Sequence, residues 1–189
     1  MEGTSSPHVS ADERRQVLDW VDESSQEFLA ATSDVSDAQW TWKAASDRWS
    51  VGETAEHVVL AERLLFNFVR KAIAAPPNRA WREQTDGKTE LLIRVMPSRQ
   101  GKAVAPDPIV PHETLTCAEV ITRFKTQRLE IGEFARETQV ALKEHTAVHP
   151  FPMFGTLNAY QWLIYILLHT IRHAKQIADV KRTLGYPSH

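Results

Sequence analysis

The sequence predicts an all-α protein built as a four-helix bundle, and three observations support this. Its 189 residues include only 7 glycines, and long stretches lack both glycine and proline, which argues against a turn-rich β fold. Three capping boxes, each a Ser or Thr followed three residues later by Glu, mark helix starts at Ser10, Ser50 and Thr116. After each start, apolar residues recur at the spacing of one buried helical face.

The capping boxes and apolar faces define the first two helices. The first is predicted from about 11 to 32, where its apolar pattern fades. The second is predicted from about 51 to 74, and Pro76 and Pro77 stop it because proline cannot continue a helix. Between them, residues 33–49 hold three tryptophans, so we expect an ordered cap with one helical turn rather than a free linker.

The remaining chain predicts a long crossover and two more helices. Residues 76–115 contain six prolines and are too long for an ordinary turn, so we expect a crossover between helices 2 and 3, with one short helix around Thr89 to Val95. The third helix is predicted from 116 to about 143, and the fourth from about 157 to 184. We expect one domain over 1–189, with residues 1–9 as a flexible N-terminus.

Composition narrows the possible functions. The chain has 22 Lys and Arg against 24 Asp and Glu, a net charge of −2, which gives no electrostatic basis for nucleic-acid or membrane binding. The N-terminus lacks the apolar segment of a signal peptide, and the longest apolar run, Trp162 to Leu168, is too short to span a bilayer. The single cysteine, Cys117, fits a cytoplasmic location and requires any metal to be held by His and carboxylates.

The eight histidines contain one promising set. His169 and His173 lie four apart within the most apolar predicted helix, so their side chains share one face and can converge on one ion. His57 is the polar member of the apolar face of helix 2. His145 and His149 are also four apart, but Pro150 disfavours helical geometry there, and we interpret them as loop histidines.

Three inward-facing histidines have two interpretations. They can be buried imidazoles that are hydrogen-bonded to their neighbours, without a metal. Alternatively, one cation satisfies all three, which removes the problem of unpaired or like-charged imidazoles in a core. A three-His site would leave positions open for water or substrate, as in catalytic metal sites, whereas structural sites usually have four protein ligands.

Spacing also indicates candidate neighbours of this site. Glu53 precedes His57 by four residues and is the candidate proton acceptor, although it competes for the capping box with Ser50. Gln176 follows His173 by three residues and can orient its ring. Tyr165 precedes His169 by four residues and offers either a phenol or core packing. Cys117 has no identifiable base beside it, which disfavours a cysteine nucleophile.

Two segments together carry a family resemblance. The segment WSVGETAEHV surrounds His57, and YQWLIYILLHTIRHAKQI contains His169 and His173. This pairing resembles the DinB/YfiT-like superfamily over essentially the whole chain, including the HPFPMFG turn. The resemblance implies an up-down-down-up bundle and a divalent metal, zinc or nickel, held by those three histidines. It also implies a homodimer and activities of two kinds, thiol-dependent transfer or isomerisation with low-molecular-weight thiols and metal-dependent hydrolysis.

We therefore expect a cytoplasmic metalloenzyme that activates water or a low-molecular-weight thiol for attack on a small substrate, as a hydrolase or a thiol S-transferase. The alternative is a non-catalytic stress-response protein that binds a metal or a small ligand at the same site. A third interpretation leaves the histidines without metal in a structural role.

Overall fold

The computed structural model describes residues 6–98, 104–112 and 115–188. These residues form seven α-helices, a 3₁₀ turn and a two-stranded antiparallel sheet. The elements are α1 (Ala11–Thr32), α2 (Asp37–Thr41), α3 (Val51–Ala74), α4 (Trp81–Thr85), α5 (Lys88–Val95), the 3₁₀ turn (Asp107–Ile109), α6 (Cys117–Glu137), β1 (Thr146–Val148), β2 (Thr156–Asn158) and α7 (Ala159–Lys181).

Reciprocal capping boxes fix the starts of the four long helices. The boxes predicted at Ser10, Ser50 and Thr116 are confirmed, and Asn158 forms a fourth with Gln161 at the start of α7. Each box satisfies backbone N–H groups that the first helical turn leaves unpaired. The bounds of α1 and α3 agree with the predicted ranges, and α7 is shorter than predicted by a few residues at its ends.

Contacts between the long helices give their directions. Helices α1 and α6 are antiparallel, because Arg14 near the start of α1 donates to the carbonyl of Thr138 after α6, while Phe28 packs on Phe124 near the start of α6. At the end of α7, Lys181 donates to a carbonyl that follows α1, so α1 and α7 end together and are parallel.

Helix α3 runs the other way. Its first turns meet the end of α7 where His57 contacts His173, and its last turns meet the start of α7 where Phe68 stacks on Trp162, so these two helices are antiparallel. The bundle is therefore up-down-down-up in the chain order α1, α3, α6 and α7. The predicted four-helix bundle is confirmed, and the crossover allows α3 and α6 to run parallel.

The crossover is more structured than the sequence indicated. Helix α5 matches the short helix predicted near 89–95, whereas α4 and the 3₁₀ turn were not predicted. Residues 99–103 and 113–114 of this predicted crossover lie outside the described residues, as do residues 1–5 of the predicted flexible N-terminus. The described part of that N-terminus is anchored, because Pro7 accepts a hydrogen bond from Lys143 and Val9 packs on the core.

The predicted end of the third helix at about 143 was wrong, because α6 ends at Glu137. The guanidinium of Arg14 donates to carbonyls of the last turn and satisfies groups that would otherwise continue the helix. The hydroxyl of Thr138 accepts a hydrogen bond from the N–H two residues on, which starts a turn. The turn after α6 buries Leu142 against the core, at 2% exposure. This apolar residue continued the helical pattern in the sequence, which is why the predicted end lay too far along the chain.

The loop predicted before the last helix contains a short hairpin. Thr146 pairs with Asn158 and Val148 with Thr156, and the turn between the strands contains His149. Asn158 ends β2 and also caps α7, so the hairpin fixes where the last helix begins. Within the described ranges, no helix combines the length and the apolar character needed to cross a bilayer.

Candidate metal centre

Three histidines from two helices converge inside the bundle. His57 lies two turns into α3, and His169 and His173 lie one turn apart on α7, which is antiparallel to it. One ring nitrogen from each lies within 4.8 Å of the others, and the Nε2 atoms of His169 and His173 are 3.2 Å apart. The antiparallel crossing of α3 and α7 therefore assembles the set that the sequence singled out.

The site is largely shielded from solvent. The exposed fractions of His57 and His173 are 3% and 8%, and His169 is half-buried. Burial lowers the pKa of His57, and it lowers the pKa of His169 and of His173 well below the usual value; their neighbouring imidazoles and the charge of Arg172 lower these two further. All three rings are therefore neutral at pH 7, the form in which imidazole binds metals.

Hydrogen bonds set the orientation of two of the rings. The Nδ1–H of His57 donates to the carbonyl oxygen of Ile109 at 2.7 Å, and the Nδ1–H of His173 donates to Oε1 of Gln176 at 3.0 Å. Both rings therefore carry their proton on Nδ1 and present the lone pair of Nε2. Outer hydrogen bonds of this kind orient histidine ligands and increase their basicity.

This geometry fits a divalent ion. Two nitrogens bound tetrahedrally at the usual zinc–nitrogen distance lie about 3.3 Å apart, which matches the separation of His169 and His173. Imidazole nitrogen suits zinc and nickel alike. Without an ion, Nε2 of His173 still needs a donor, which the ring of His169 can supply by carrying its proton on Nε2. The two interpretations thus differ in the nitrogen of His169 that carries its proton, Nδ1 with an ion and Nε2 without one.

Aromatic rings flank two of the three histidines. The ring of Trp49 lies 4.8 Å from that of His57, and the ring of Tyr165 stacks at 6.0 Å from that of His169. Tyr165 is buried, and burial raises the pKa of its phenol, so it remains protonated. The sequence predicted only that Trp49 belongs to the cap of residues 33–49, and not that it lies beside the candidate ligands. Its position directly before Ser50, the residue that caps α3, is the sequence feature that places it about two turns before His57.

Glu53 lies in the capping box rather than free in the site. Its Oε2 accepts from the backbone N–H of Ser50 at 2.7 Å, and its Oε1 accepts from Nζ of Lys43 at 2.8 Å. It also lines a cavity of about 310 Å³ at the start of α3, which Glu56 and Cys117 line as well but none of the three histidines does. A catalytic role for Glu53 stays a prediction, and its carboxylate would have to leave these partners.

The other sequence candidates fall outside the ligand set. Nδ1 of His145 lies 3.0 Å from the carbonyl oxygen of Ala75 after α3. His149 is in a loop, as predicted, but it is 4% exposed and not a surface residue. Its ring stacks on Trp162 and contacts Tyr165, a burial that the local sequence pattern did not predict. Burial raises the pKa of Cys117, which disfavours the thiolate that a nucleophile needs.

The bundle topology and the three converging histidines define a class of helical proteins with a candidate metal site at the crossing of two antiparallel helices. The chain belongs to the DinB superfamily, whose family model matches residues 21–177. This match covers most of the bundle and includes all three histidines.

Two relatives are informative. The uncharacterized protein YuaE of Bacillus subtilis (strain 168) is 20% identical over 151 residues, which cover 79% of this chain and 88% of YuaE. The solved structure of YfiT from Bacillus subtilis has a TM-score of 0.62 at 13% identity, covering 99% of this chain and 94% of that chain. YfiT is described as a probable metal-dependent hydrolase with an unusual four-helix bundle topology. At this identity the likeness to YfiT concerns the fold.

Proposed function

We propose that this protein binds a divalent metal ion, zinc or nickel, through His57, His169 and His173 and acts as a metal-dependent enzyme on a small substrate. The convergence of three neutral imidazoles within 4.8 Å carries this proposal. One cation accepts the lone pairs of all three rings at once, whereas without it the Nε2–H of His169 can be donated to Nε2 of His173. When bound, such an ion lowers the pKa of a coordinated water or thiol toward neutrality and polarises a carbonyl.

The chain's own residues prepare this chemistry. Ile109 and Gln176 keep the protons of His57 and His173 on Nδ1, so both rings present their Nε2 lone pairs to the same point. The rings of Trp49 and Tyr165 pack beside His57 and His169 and add apolar surface to the site. Three protein ligands leave coordination positions free for a substrate, which favours a catalytic over a structural site.

Two reaction types fit this arrangement, hydrolysis by an activated water and S-transfer by a low-molecular-weight thiol. The description of YfiT as a probable metal-dependent hydrolase supports the first, and the thiol reaction is part of the proposal. Glu53 is the proposed proton acceptor in the hydrolytic version. We place the protein in the cytoplasm as a homodimer, and neither nucleic acid nor a membrane is part of the proposal.

Metal analysis tests the proposal directly. We expect protein purified without an affinity tag to hold about one equivalent of zinc or nickel, and the His57→Ala/His173→Ala variant to hold almost none. His145→Ala is the matched control, since it removes a buried histidine outside the set. A metal content below about 0.2 equivalents that does not change in the double variant would refute the proposal, because structural sites and catalytic sites alike bind stoichiometrically.

The second candidate is a non-catalytic protein that binds a metal or a small ligand. The engagement of both Glu53 carboxylate oxygens favours it, since Glu53 is then held by Lys43 and Ser50 and is not available as the proton acceptor. Screening the metal-loaded protein with thiols and small electrophiles distinguishes the two. Turnover that disappears in His173→Ala identifies the enzyme, whereas ligand binding without turnover identifies the binder.

A further inference from the structure

His149 has a ring nitrogen with no partner in the protein. Its Nδ1 accepts the backbone N–H of Phe151 at 2.9 Å, so Nδ1 carries no proton. Burial lowers the pKa of His149 to about 4, which leaves the ring neutral at pH 7 with its proton on Nε2. That Nε2 is buried, and no residue in the described part of the chain accepts a hydrogen bond from it.

An unpaired buried donor is costly. Leaving such a group unsatisfied costs about 1–3 kcal/mol, so natural proteins rarely retain one without a reason. The ring is held on several sides by aromatic side chains: its centroid lies 4.9 Å from that of Trp162 in a near-parallel stack, 4.7 Å from Phe154 and 4.6 Å from Tyr165. Its proton is therefore held in a fixed position.

The ring lies close to the candidate metal centre. Tyr165 contacts His149 on one side and stacks on the ligand His169 on the other. The hairpin turn thus holds a neutral N–H donor beside Tyr165, one aromatic side chain away from the ligand His169.

We propose that the Nε2–H of His149 donates a hydrogen bond to an oxygen of the small ligand bound at the metal centre and so positions that ligand. The inference rests on the proposed function. It assigns the substrate class: a compound that binds the ion at one atom and carries a carbonyl or carboxylate oxygen a few bonds away. His149 is in this view a specificity residue, distinct from the three metal ligands.

Two substitutions separate the donor from the turn. In His149→Asn, the side-chain oxygen can accept the Phe151 N–H as an Asx turn, and Asn before proline favours such turns, but no donor replaces Nε2–H. In His149→Gln, the longer amide N–H reaches the position of Nε2. The Asn variant therefore removes the donor and retains the turn, and the Gln variant supplies a donor again.

Thiol binding to the cobalt-loaded protein provides the measurement, through the thiolate-to-cobalt absorption band. The probes are N-acetylcysteine, which carries acceptor oxygens, and ethanethiol, which carries none. We expect the Kd for N-acetylcysteine to rise about tenfold in His149→Asn and to recover in His149→Gln, the size expected for one hydrogen bond to a charged group. The Kd for ethanethiol and for cobalt should be equal in all three proteins.

Other outcomes overturn the inference. Equal N-acetylcysteine affinity in wild type and His149→Asn would mean that the proton faces a buried water or an aromatic ring. The absence of an N-acetylcysteine band in cobalt-loaded wild type would mean that the site does not take a ligand of this class. Either result overturns the inference and leaves the metal site valid. Failure of wild type to bind cobalt would instead remove the proposed function. Should His149→Asn not fold, nitrogen-15 NMR of zinc-loaded wild type decides: an Nε2–H resonance that N-acetylcysteine leaves unshifted overturns the inference.

Discussion

The carbonyl oxygen of Ile109 lies 2.7 Å from Nδ1 of His57. Ile109 belongs to the 3₁₀ turn of the crossover and is 8% exposed, so this turn is packed onto α3 beside the candidate site. The crossover therefore does more than connect two parallel helices. It supplies the acceptor that fixes the tautomer of the ligand contributed by α3.

Loosening this turn should weaken metal binding. Ile109→Ala removes the side chain that anchors the turn, so the carbonyl no longer holds the His57 ring in place. We expect the metal Kd to rise about tenfold, at the lower end of what losing an outer hydrogen bond costs. Competition with a chromophoric chelator measures it. Val104→Ala is the control, since Val104 lies in the same segment at 87% exposure; an equal loss in both variants would contradict the prediction.

Gln176 should act in the same way on His173. Gln176→Leu removes the acceptor of the Nδ1–H, and we expect about a tenfold weaker affinity for zinc, with far-UV circular dichroism unchanged. Gln176→Glu retains an acceptor at the same place and should keep or increase the affinity. If both substitutions weaken binding equally, packing and not the hydrogen bond explains the effect.

Local signals account for the parts of the fold that the sequence predicted. A capping box spans four residues and an apolar stripe repeats every turn, so α1 and α3 could be bounded without knowledge of their neighbours. The end of α6 depends on Arg14, more than a hundred residues away in sequence, and no pattern near Glu137 reveals it. The hairpin strands are three residues each, too short for a period-two signal.

In the candidate site too, the sequence predicted the features with a local signal and not those fixed by distant contacts. His169 and His173 share a helix, and their spacing alone placed them on one face. The acceptor for His57, by contrast, is the backbone carbonyl of Ile109, which lies 52 residues away in an irregular segment. Every residue has such a carbonyl, so the sequence does not indicate which one accepts this hydrogen bond. Pro150 correctly indicated that His149 is not helical, but its burial comes from the aromatic face of α7, which local patterns do not report.

Two glycines in long helices should respond oppositely to alanine. A Cβ on Gly52 would lie 2.5 Å from Nε1 of Trp40, so Gly52→Ala must displace the buried indole and should lower the free energy of unfolding by about 1–3 kcal/mol. A Cβ on Gly132 meets Val21 at an ordinary 3.6 Å, so Gly132→Ala should raise it by up to about 1 kcal/mol through helix propensity.

Urea unfolding of the two single variants measures these changes, and each serves as the control for the other. A stabilised Gly52→Ala protein would show that Trp40 can move at little cost. It would then follow that the tryptophan-rich cap is not packed as tightly against the start of α3 as the structure indicates.

A buried ion pair lies in the middle of the bundle. Nη2 of Arg128 is 3.1 Å from Oε2 of Glu62 and donates to the hydroxyl of Thr170 at 2.6 Å, linking α6, α3 and α7. Both charged residues are almost fully buried. At about pH 8, where Glu62 is ionised, removing Arg128 leaves an uncompensated buried charge, so we expect Arg128→Met to cost about 3–5 kcal/mol there, whereas Glu62→Met/Arg128→Met should be nearly neutral or stabilising.

The same pair should make stability depend on pH. Burial raises the pKa of Glu62 to about 7, against an opposing effect of Arg128, from an ordinary value of 4.5. The native state then holds this proton more tightly than the unfolded chain, so the stabilisation is complete below the unfolded pKa and is lost as the pH rises through about 7. Between about pH 5 and about pH 8, the free energy of unfolding of metal-free wild type should fall by up to about 3 kcal/mol more than that of Glu62→Met/Arg128→Met. Urea unfolding in the presence of a chelator measures the difference. Parallel pH profiles would show that Glu62 is ionised throughout this range and that Arg128 fully compensates its burial.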